Sequence, residues 1–428
     1  MRDASQRSSG VAATGSGTSV ARSALAALAA LMVLNFIDRQ IVVSMFPHLE
    51  AEFGLSDRQL GWLVSIVAVT IAVFTVPLAV AADRYGRARG IVAMALVWSL
   101  ATIACAFAAT ALQLVVARAV VGVGEAAFGA VGAALLASIF PERHRSTVLS
   151  TFLASALLGS VLGVAMGGAI AERWGWRMAF VVAGVPGIAM ALVALKLVRE
   201  PPRTFDAGRA GPSMRQIASA LRQPRTLAVT CLGGGLQLVT VSGLYAWLPS
   251  YFHRAHGLSP ADAGTRAALV VLAAGVGTVG WGLLADRMAR RMSAARLAVP
   301  AAVSLATAAV LVAAFAVMPP GPAQFALILA GAALMTCSIG PAAAVVIDVV
   351  PPQARASAAS LLTLVQNLVG LAVGPLLVGA ISDRHGLGVA LSIVPLASVL
   401  AAVAFAAAAR SYPHDRARAN GSPVPAVS

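Results

Sequence analysis

The strongest constraint on this chain is a series of long apolar runs that recur along its 428 residues. A helix needs about 20 apolar residues to cross a bilayer core, and only helices and closed barrels satisfy their backbone groups there. The alternating pattern of barrel strands is absent from the sequence. The runs therefore predict an all-α integral membrane fold with twelve transmembrane helices, at residues 23–46, 58–82, 90–110, 112–140, 147–171, 176–197, 226–252, 260–285, 296–318, 322–350, 355–382 and 386–409.

Charged residues are few and unevenly distributed. They make up 11% of the chain, whereas soluble domains carry roughly 25%. With the N-terminus placed in the cytoplasm, the inner segments hold 23 Lys/Arg and 7 Asp/Glu, whereas the outer loops hold 6 of each. This is the positive-inside pattern, so the net charge of +15 does not indicate a nucleic-acid partner. We expect a multi-pass protein of a bacterial inner membrane with both termini cytoplasmic.

One long polar segment divides the apolar runs into two groups of six. The predicted domains are a disordered cytoplasmic N-terminus at 1–22, an N-terminal six-helix bundle at 23–197, a cytoplasmic linker at 198–225, a C-terminal six-helix bundle at 226–409 and a cytoplasmic tail at 410–428. All three cysteines fall inside helices, which indicates neither a disulfide framework nor a metal site.

The two groups of helices repeat each other. At a constant offset of 211 residues, glycines of the fifth run align with glycines of the eleventh, and the strings AIAERWG and AISDRHG follow them. Glycines spaced by four residues let helices pack closely. We assign this role to Gly122, Gly159, Gly163, Gly167, Gly370 and Gly374. Two like halves of six helices are the plan of a rocking transporter whose substrate site lies between them.

Two charged residues, Arg118 and Glu125, interrupt the fourth apolar run in the string VARAVVGVGEAAFG. They share a helix face at a separation of about 10 Å along the axis, and we expect Gly122 between them to leave space beside that face. Charged side chains in the bilayer are costly and usually face a cavity or a partner. Asp38 in the first run lies at a similar depth, so an Asp38–Arg118 ion pair is expected, with Glu125 deeper and less compensated.

A buried carboxylate without a close cation favours its neutral form and can bind a proton near neutrality. Such a group gives a carrier a charge that differs between its inward and outward forms. We therefore expect Glu125 to be the principal proton carrier, Asp38 the second, and Arg118 the switch or the substrate anchor. The alternative is a static structural ion network, in which Arg39 also pairs with Asp38.

Several strings resemble one transporter family. DRYGR at 83–87 and ADRMARR at 285–291 are similar to the signature loop of the major facilitator superfamily, and they occur in the expected places of both halves. The first half also resembles the spinster-like branch, through the strings LNFIDRQ (34–40), ARAVVGVGEAA (117–127), FPERHR (140–145) and WGWRMAFVVAGVPG (174–187). Anion–cation symporters of the same superfamily carry similar NxxDR and GxGEA strings. The resemblance implies the major facilitator fold, transport driven by the proton gradient without a cofactor, and the same proton-coupling trio.

The resemblance further implies that the signature loop is a cytoplasmic gating latch, in which an aspartate docks against a helix end. The residues carried over are Asp83, Arg84 and Arg87 in the first copy and Asp286, Arg287 and Arg290 in the second. Ala289 replaces a glycine of the second copy, which leaves the function of that latch open. Asp348 is expected at the cytoplasmic end of the tenth helix, as a helix-end or gating residue.

Other polar residues inside the apolar runs are candidates for lining a substrate cavity, or else for hydrogen bonding between helices. They are Asn35, Gln237, Gln366 and Asn367, with Arg118 as the charged candidate. Tyr245 and Trp247 are expected to anchor an outer membrane interface; the alternative is that they stack on a substrate.

The leading hypothesis is a proton-coupled secondary transporter that works by alternating access. The spinster-like resemblance implies export or exchange of amphipathic or hydrophobic small molecules, such as lysolipids or hydrophobic drugs. Two alternatives stay open: a proton-coupled importer of organic anions, in which Arg118 clamps a carboxylate, and a non-transporting receptor or scaffold. The sequence contains no GxSxG, HExxH or Walker A string, so we do not expect an enzyme. The expected partners are the lipid bilayer and a small-molecule substrate, and the family resemblance implies a monomer.

Overall fold

The computed structural model describes residues 8–198, 221–222, 224–292 and 294–419. Within these ranges, twelve helices are long and apolar enough to cross a membrane. In chain order they are α1 (Ala21–Phe53), α2 (Asp57–Tyr85), α3 (Arg87–Ala106), α4 (Ala111–Ile139), α5 (Arg143–Trp174), α6 (Trp176–Leu197), α7 (Arg225–His256), α8 (Pro260–Ala289), α9 (Ala295–Val317), α10 (Pro322–Asp348), α11 (Pro352–His385) and α12 (Leu387–Ala419). The predicted all-α fold with twelve spans is confirmed.

Successive helices cross in opposite directions, which places the connecting loops on two sides. We call the side with the loops after α1, α3, α5, α7, α9 and α11 the odd-loop side. The opposite side, where α1 begins and α12 ends, is the terminal side. Most of the predicted linker at 198–225 lies outside the described residues.

Both chain ends are more helical than predicted. The helix that continues into α1 already begins at Ser8, within the segment predicted to be disordered. At the other end, α12 continues beyond the predicted boundary at residue 409 to Ala419. Asp415 in this extension accepts hydrogen bonds from the Thr226 backbone nitrogen at 2.9 Å and hydroxyl at 2.7 Å. The extension therefore caps the start of α7.

The internal repeat is visible in the backbone. Gly175 and Gly386 precede α6 and α12 with φ values of +83° and +85°, a region that favours glycine. These two glycines are 211 residues apart, which is the offset of the sequence repeat. Helices α4 and α10 are each interrupted once, after Glu125 and after Met335, at the same offset within one residue. The two halves therefore share local irregularities as well as helix order.

The glycines assigned to packing lie where helices cross at close range. In the contact of α5 with α1, a Cβ added to Gly163 would lie 2.7 Å from the Ile37 carbonyl oxygen. In the contact of α11 with α7, a Cβ added to Gly374 would lie 2.6 Å from the Val239 carbonyl oxygen. A side chain would also meet neighbouring atoms at Gly159, Gly167 and Gly370. These positions keep the first and fifth helices of each half in close contact.

Gly122 differs from the expectation that it leaves open space beside α4. A Cβ at this position would lie 2.6 Å from the Val67 carbonyl oxygen and would also meet the Thr70 hydroxyl. The space is therefore filled by α2, and Gly122 serves the contact between α2 and α4.

An ion-pair network joins the two halves on the odd-loop side. Arg254 of α7 donates hydrogen bonds to both carboxylate oxygens of Asp57 in α2, at 2.9 and 2.8 Å. It also donates to Glu50 of α1 at 2.7 Å. The hydroxyl of Ser382 in α11 donates to the Asp57 carboxylate as well. We call this network, together with the helix caps described next, the odd-loop lock.

Two carboxylates cap helix starts across the interface between the halves. Asp383 of α11 accepts hydrogen bonds from the backbone nitrogens of Asp57 and Arg58, at 2.8 and 3.2 Å. Glu172 of α5 accepts one from the backbone nitrogen of Ala261 at 3.1 Å. Free N–H groups and the helix dipole favour a negative charge at each of these helix starts. Glu172 and Asp383 are again 211 residues apart, so the lock has two related arms.

Close approach of backbones supports both arms of the lock. A side chain on Gly168 would meet the carbonyl group of Pro260, and one on Gly379 would meet the carbonyl group of Asp57. Glycine at these positions lets α5 approach α8 and lets α11 approach α2 without an intervening side chain.

Candidate functional site

A cavity of about 490 Å³ lies between the two halves. Helices α1, α2, α4 and α5 of the first half and α7, α8, α10 and α11 of the second form its wall. Most of the lining side chains are aliphatic. The polar ones are Arg39, Gln40, Arg118, Ser160, Ser242, Tyr245, Thr278 and Thr336. The cavity therefore combines an apolar wall with a small number of polar groups.

The cavity is closed toward the odd-loop side and open toward the terminal side. Arg118, which lines it near the odd-loop start of α4, is 1% exposed. Leu153 and Val279, which line it nearer the terminal-side ends of α5 and α8, are 59% and 63% exposed. The odd-loop lock lies beyond the closed end.

The expected Asp38–Arg118 contact is present at the closed end. Nη1 of Arg118 lies 3.4 Å from Oδ1 of Asp38, and it donates to the Asp38 carbonyl oxygen at the same distance. Both side chains are almost fully buried. A buried ion pair is costly to break by removing one partner, because the other charge then stays uncompensated.

Glu125 differs from the expectation that it lacks a close cation. Nε of Arg39 donates to Oε2 of Glu125 at 2.6 Å. Arg39 thus pairs with Glu125, not with Asp38 as in the static-network alternative. The side chain of Glu125 is fully buried, whereas that of Arg39 is 23% exposed and lines the cavity. Arg39 therefore belongs to the site, although the sequence pattern indicates it only for the alternative static network.

Two acids and two arginines balance in this cluster, yet not all of their polar atoms are satisfied. Oδ2 of Asp38, Oε1 of Glu125 and Nε of Arg118 have no hydrogen-bond partner within the described part of the chain. Buried polar atoms are normally paired. The free oxygens can each take a proton or a donated hydrogen bond, so the cluster has spare capacity for both.

A break in α4 positions Glu125. The residue ends the first segment of the helix, and the second segment starts at Phe128. The hydroxyl of Thr75 in α2 donates to the carbonyl oxygen of Ala126 at 2.7 Å, which ties the break to the neighbouring helix. The carboxylate is therefore held by local backbone geometry as well as by Arg39.

Of the five predicted cavity residues, only Arg118 lines the cavity. Gln237 is buried and donates to the Met335 carbonyl oxygen at 2.9 Å. Asn367 donates to the Thr363 carbonyl oxygen at 2.8 Å. Asn35 and Gln366 lie outside the lining set as well. For Gln237 and Asn367 the helix backbone offers nearby acceptors, so the hydrogen-bonding alternative describes them.

The two aromatic residues expected at a membrane interface lie inside the protein. Tyr245 lines the cavity. Trp247 is fully buried, donates to the Pro375 carbonyl oxygen at 2.9 Å, and stacks edge-on against Phe46 with ring centroids 5.0 Å apart. Because α7 of the second half also packs against the first half, its odd-loop end is surrounded by protein and does not face lipid.

The signature loops have local ionic partners. In the first copy, Arg87 donates to Asp83 at 2.7 Å. In the second copy, Asp286 pairs with Arg296 at 3.0 Å. Arg296 also pairs with Asp348 at 2.8 Å, and Asp348 accepts a hydrogen bond from the Tyr412 hydroxyl. Asp348 thus ties α9 to α12 at the terminal side, consistent with the helix-end alternative.

Comparisons with known proteins give the same family for most of the chain. The family model described as Major Facilitator Superfamily matches residues 28–375. Protein spinster homolog 1 of Homo sapiens is 26% identical over 394 residues, which cover 86% of this chain and 74% of that protein. Sphingosine-1-phosphate transporter SPNS2 of Mus musculus is 26% identical over 423 residues, which cover 90% and 77%.

A solved structure shows the same fold. The crystal structure of a bacterial homolog of the human lysosomal transporter Spinster, in an inward-facing and unoccupied conformation, matches with a TM-score of 0.84. The match covers 93% of this chain and 98% of that chain at 24% sequence identity.

Proposed function

This chain belongs to the Major Facilitator Superfamily as a spinster-like transporter, not an enzyme, and from this premise we propose that it couples proton movement to the export or exchange of amphipathic small molecules. Asp38 and Glu125 are the proposed proton sites. Arg39 and Arg118 are the proposed switch, and no cofactor takes part.

The observation that carries this proposal is that Arg39 contacts both Glu125 and the cavity. An anionic head group bound to Arg39 takes away part of the charge that compensates Glu125, so Glu125 then favours a bound proton. Conversely, protonation of Glu125 releases Arg39 to bind an anion. By linkage, each event changes the free energy of the other.

The charge of the head group decides the sign of this coupling. An anionic head group binds together with a proton, as described for Arg39. A cationic head group at the same place favours the ionised form of Glu125 through its charge and so opposes the proton, which gives exchange.

The shape and chemistry of the cavity support an amphipathic substrate. The charged groups lie at its closed end, whereas the wall toward the opening is mostly aliphatic, with Thr278 as a polar side chain beside Val279. A head group near Arg39 and Tyr245 leaves an apolar tail to lie toward Leu153 and Val279. The similarity to a sphingosine-1-phosphate transporter supports the same class of substrate.

We propose that the terminal side is cytoplasmic, in a bacterial inner membrane, because it carries the excess of Lys and Arg. Both chain ends are then cytoplasmic, and the cavity opens inward. The odd-loop lock is the proposed outer gate, and the signature loops are the proposed inner gate. Each molecule carries a complete cavity between its own halves, which supports a monomer as the working unit.

The test is transport into proteoliposomes under an imposed pH gradient. We expect Glu125→Gln to lower the gradient-driven component by roughly tenfold or more, equivalent to at least about 1.4 kcal/mol. Exchange of substrate without a gradient should persist. Glu52→Gln is the matched control, since Glu52 pairs with Arg177 at 2.6 Å on the odd-loop side, away from the cavity. Undiminished gradient-driven transport by Glu125→Gln would contradict the proton role.

The substrate class is tested by thermal stabilisation, because a ligand of the folded state raises its stability. Lysolipids and lipophilic drugs are expected to stabilise the protein. Stabilisation by small organic acids alone, lost in Arg118→Ala, would favour the anion importer instead. Ligand binding without any flux would favour a receptor.

A further inference from the structure

A second recess, separate from the central cavity, lies on the odd-loop side between α2, α4 and α11. Its volume is about 870 Å³. Its walls are formed by Leu55, Ser56, Arg58, Gln59, Trp62, Leu63, Ala111, Leu112, Val115, Leu376 and Asp383. We call it the lateral recess.

Polarity in the lateral recess changes with depth in the membrane. Arg58 lies in the first turn of α2 and Asp383 in the last turn of α11, both at the odd-loop side. Trp62, Val115 and Leu376 lie one to two turns further along the helices, toward the bilayer centre. A polar rim above an apolar wall is the order in which a bilayer leaflet presents head groups and acyl chains.

Two apolar side chains of this wall are exposed at the protein surface. Leu112 is 72% exposed and Trp62 is 38% exposed, although both lie inside membrane-spanning helices. Their exposed surfaces are therefore accessible to the lipid chains of the surrounding bilayer.

The rim carries one cation and one anion. Arg58 is exposed, and its guanidinium forms no ion pair with another residue in the described ranges. Each carboxylate oxygen of Asp383 accepts one backbone hydrogen bond. A carboxylate offers about four acceptor sites, so Asp383 can accept further bonds. This pair of charges complements a zwitterion with an anionic group and a hydrogen-donating ammonium.

We propose that the lateral recess binds a phosphatidylethanolamine molecule from the surrounding bilayer. The phosphate pairs with Arg58 and the primary ammonium donates to Asp383. One acyl chain lies along Trp62, Val115 and Leu376. This site is independent of the transport substrate and of proton coupling.

Binding at this site depends on the conformation of the transporter. Helices α2 and α4 belong to the first half and α11 to the second, so the recess is complete only while the halves are joined on the odd-loop side. A ligand that binds one conformation shifts the equilibrium toward it. Bound phosphatidylethanolamine therefore stabilises the state in which the odd-loop lock is closed.

Trp62 provides a direct optical test, because bromine atoms on an acyl chain quench the fluorescence of a tryptophan in contact with them. The protein is placed in phosphatidylcholine vesicles with a small fraction of brominated phosphatidylethanolamine, phosphatidylcholine or phosphatidylglycerol. The signal of Trp62 is the difference between the native chain and Trp62→Phe. Trp174 is also exposed, and its signal, the difference between the native chain and Trp174→Phe, reports on contact with bulk lipid.

We expect brominated phosphatidylethanolamine to quench Trp62 as if enriched roughly two- to fivefold over its bulk fraction, the range that exposed charge pairs supply. The other two lipids share the phosphate but lack the primary ammonium that donates to Asp383, so their enrichment should be smaller. Trp174 should follow the bulk fraction. Arg58→Gln should abolish the enrichment, whereas Arg173→Gln, an exposed arginine at the odd-loop end of α5, should not.

Equal quenching by the three lipids, or enrichment that survives Arg58→Gln, would overturn the proposal. Thermal unfolding gives a second readout. Phosphatidylethanolamine should raise the unfolding temperature of the native chain more than that of Arg58→Gln, and an equal rise in both would also overturn it. Neither measurement requires transport, so both are independent of the proposed function.

Discussion

The two halves of the molecule share a backbone plan but differ in the chemistry of their cores. The first half places Asp38, Arg39, Arg118 and Glu125 around the closed end of the cavity. In the second half, the position 211 residues after Glu125 is Thr336, whose hydroxyl donates to the Ala274 carbonyl oxygen at 2.8 Å. The interruption of the helix is kept, whereas the charge is not.

This difference separates the requirements of the fold from those of the site. Because the second half forms the same helix arrangement with neutral side chains, the fold does not need a charge at the interruption. Burying charges is costly even when they are paired. The first half carries that cost at the cavity, as expected of groups retained for a function.

The largest expected effect comes from removing a charge that the second half does not have. Arg118→Ala leaves Asp38 buried without its partner and should lower the free energy of unfolding by about 3–5 kcal/mol. Leu329, at the corresponding position of α10, is partly buried. Leu329→Ala should cost only about 1–2 kcal/mol. Reversible denaturation in detergent micelles measures both, and equal losses would remove the distinction between the halves.

A double variant sharpens this comparison. Adding Asp38→Asn to Arg118→Ala removes the uncompensated charge, so part of the lost stability should return. A further loss in the double variant would show that the two residues do not act as a pair.

The next effect concerns a neutral hydrogen bond in the second half. Gln237→Leu removes the bond to the Met335 carbonyl oxygen at the interruption of α10 and should cost about 1–2 kcal/mol of unfolding free energy. The pH dependence of transport should stay unchanged, because no titrating group is lost. A changed pH profile would place Gln237 in the coupling machinery.

The two arms of the odd-loop lock should differ in strength. Asp383 caps two backbone nitrogens beside the Asp57–Arg254 ion pair, whereas Glu172 caps one. Asp383→Asn should weaken closure by about 1 kcal/mol and raise the open population about fivefold, with a smaller shift for Glu172→Gln. Distances between spin labels on α2 and α11 measure the populations. The reverse order would contradict this assignment of the arms.

The smallest effect is expected at Thr336. Thr336→Val removes one hydroxyl bond and should cost about 1 kcal/mol or less of unfolding free energy. Gradient-driven transport should persist, in contrast to Glu125→Gln. Transport assays on the two variants in parallel give the comparison, and loss of gradient-driven transport in Thr336→Val would assign a coupling role to both interruptions.

Sequence patterns predict the fold more fully than the site. Apolar run length and loop charge are properties of single segments, so they predict the twelve helices. Depth along each helix axis is also such a property, and it predicts the Asp38–Arg118 contact. The pairing of Arg39 with Glu125 depends on how α1 and α4 rotate against each other. That rotation is set by contacts such as Gly163 on Ile37, which no single segment contains.

The same reason explains the misplaced polar residues. Whether Gln237 faces the cavity or the Met335 carbonyl depends on the position of α10. For Tyr245, only the distance from the helix end can be read from the sequence, and that distance predicts a place at the membrane surface. The sign of a charge can be read from the sequence, whereas the direction in which a side chain faces depends on how the helices pack.

The bare backbone contacts at Gly168 and Gly379 have a practical consequence. At these two positions the halves can come together on the odd-loop side only while no side chain separates the helix backbones. A leucine at either position should obstruct closure sterically, without changing a residue that lines the cavity. Such a variant should favour the conformation that is open on the odd-loop side. That conformation could then be imaged with all residues of the charged cluster unchanged.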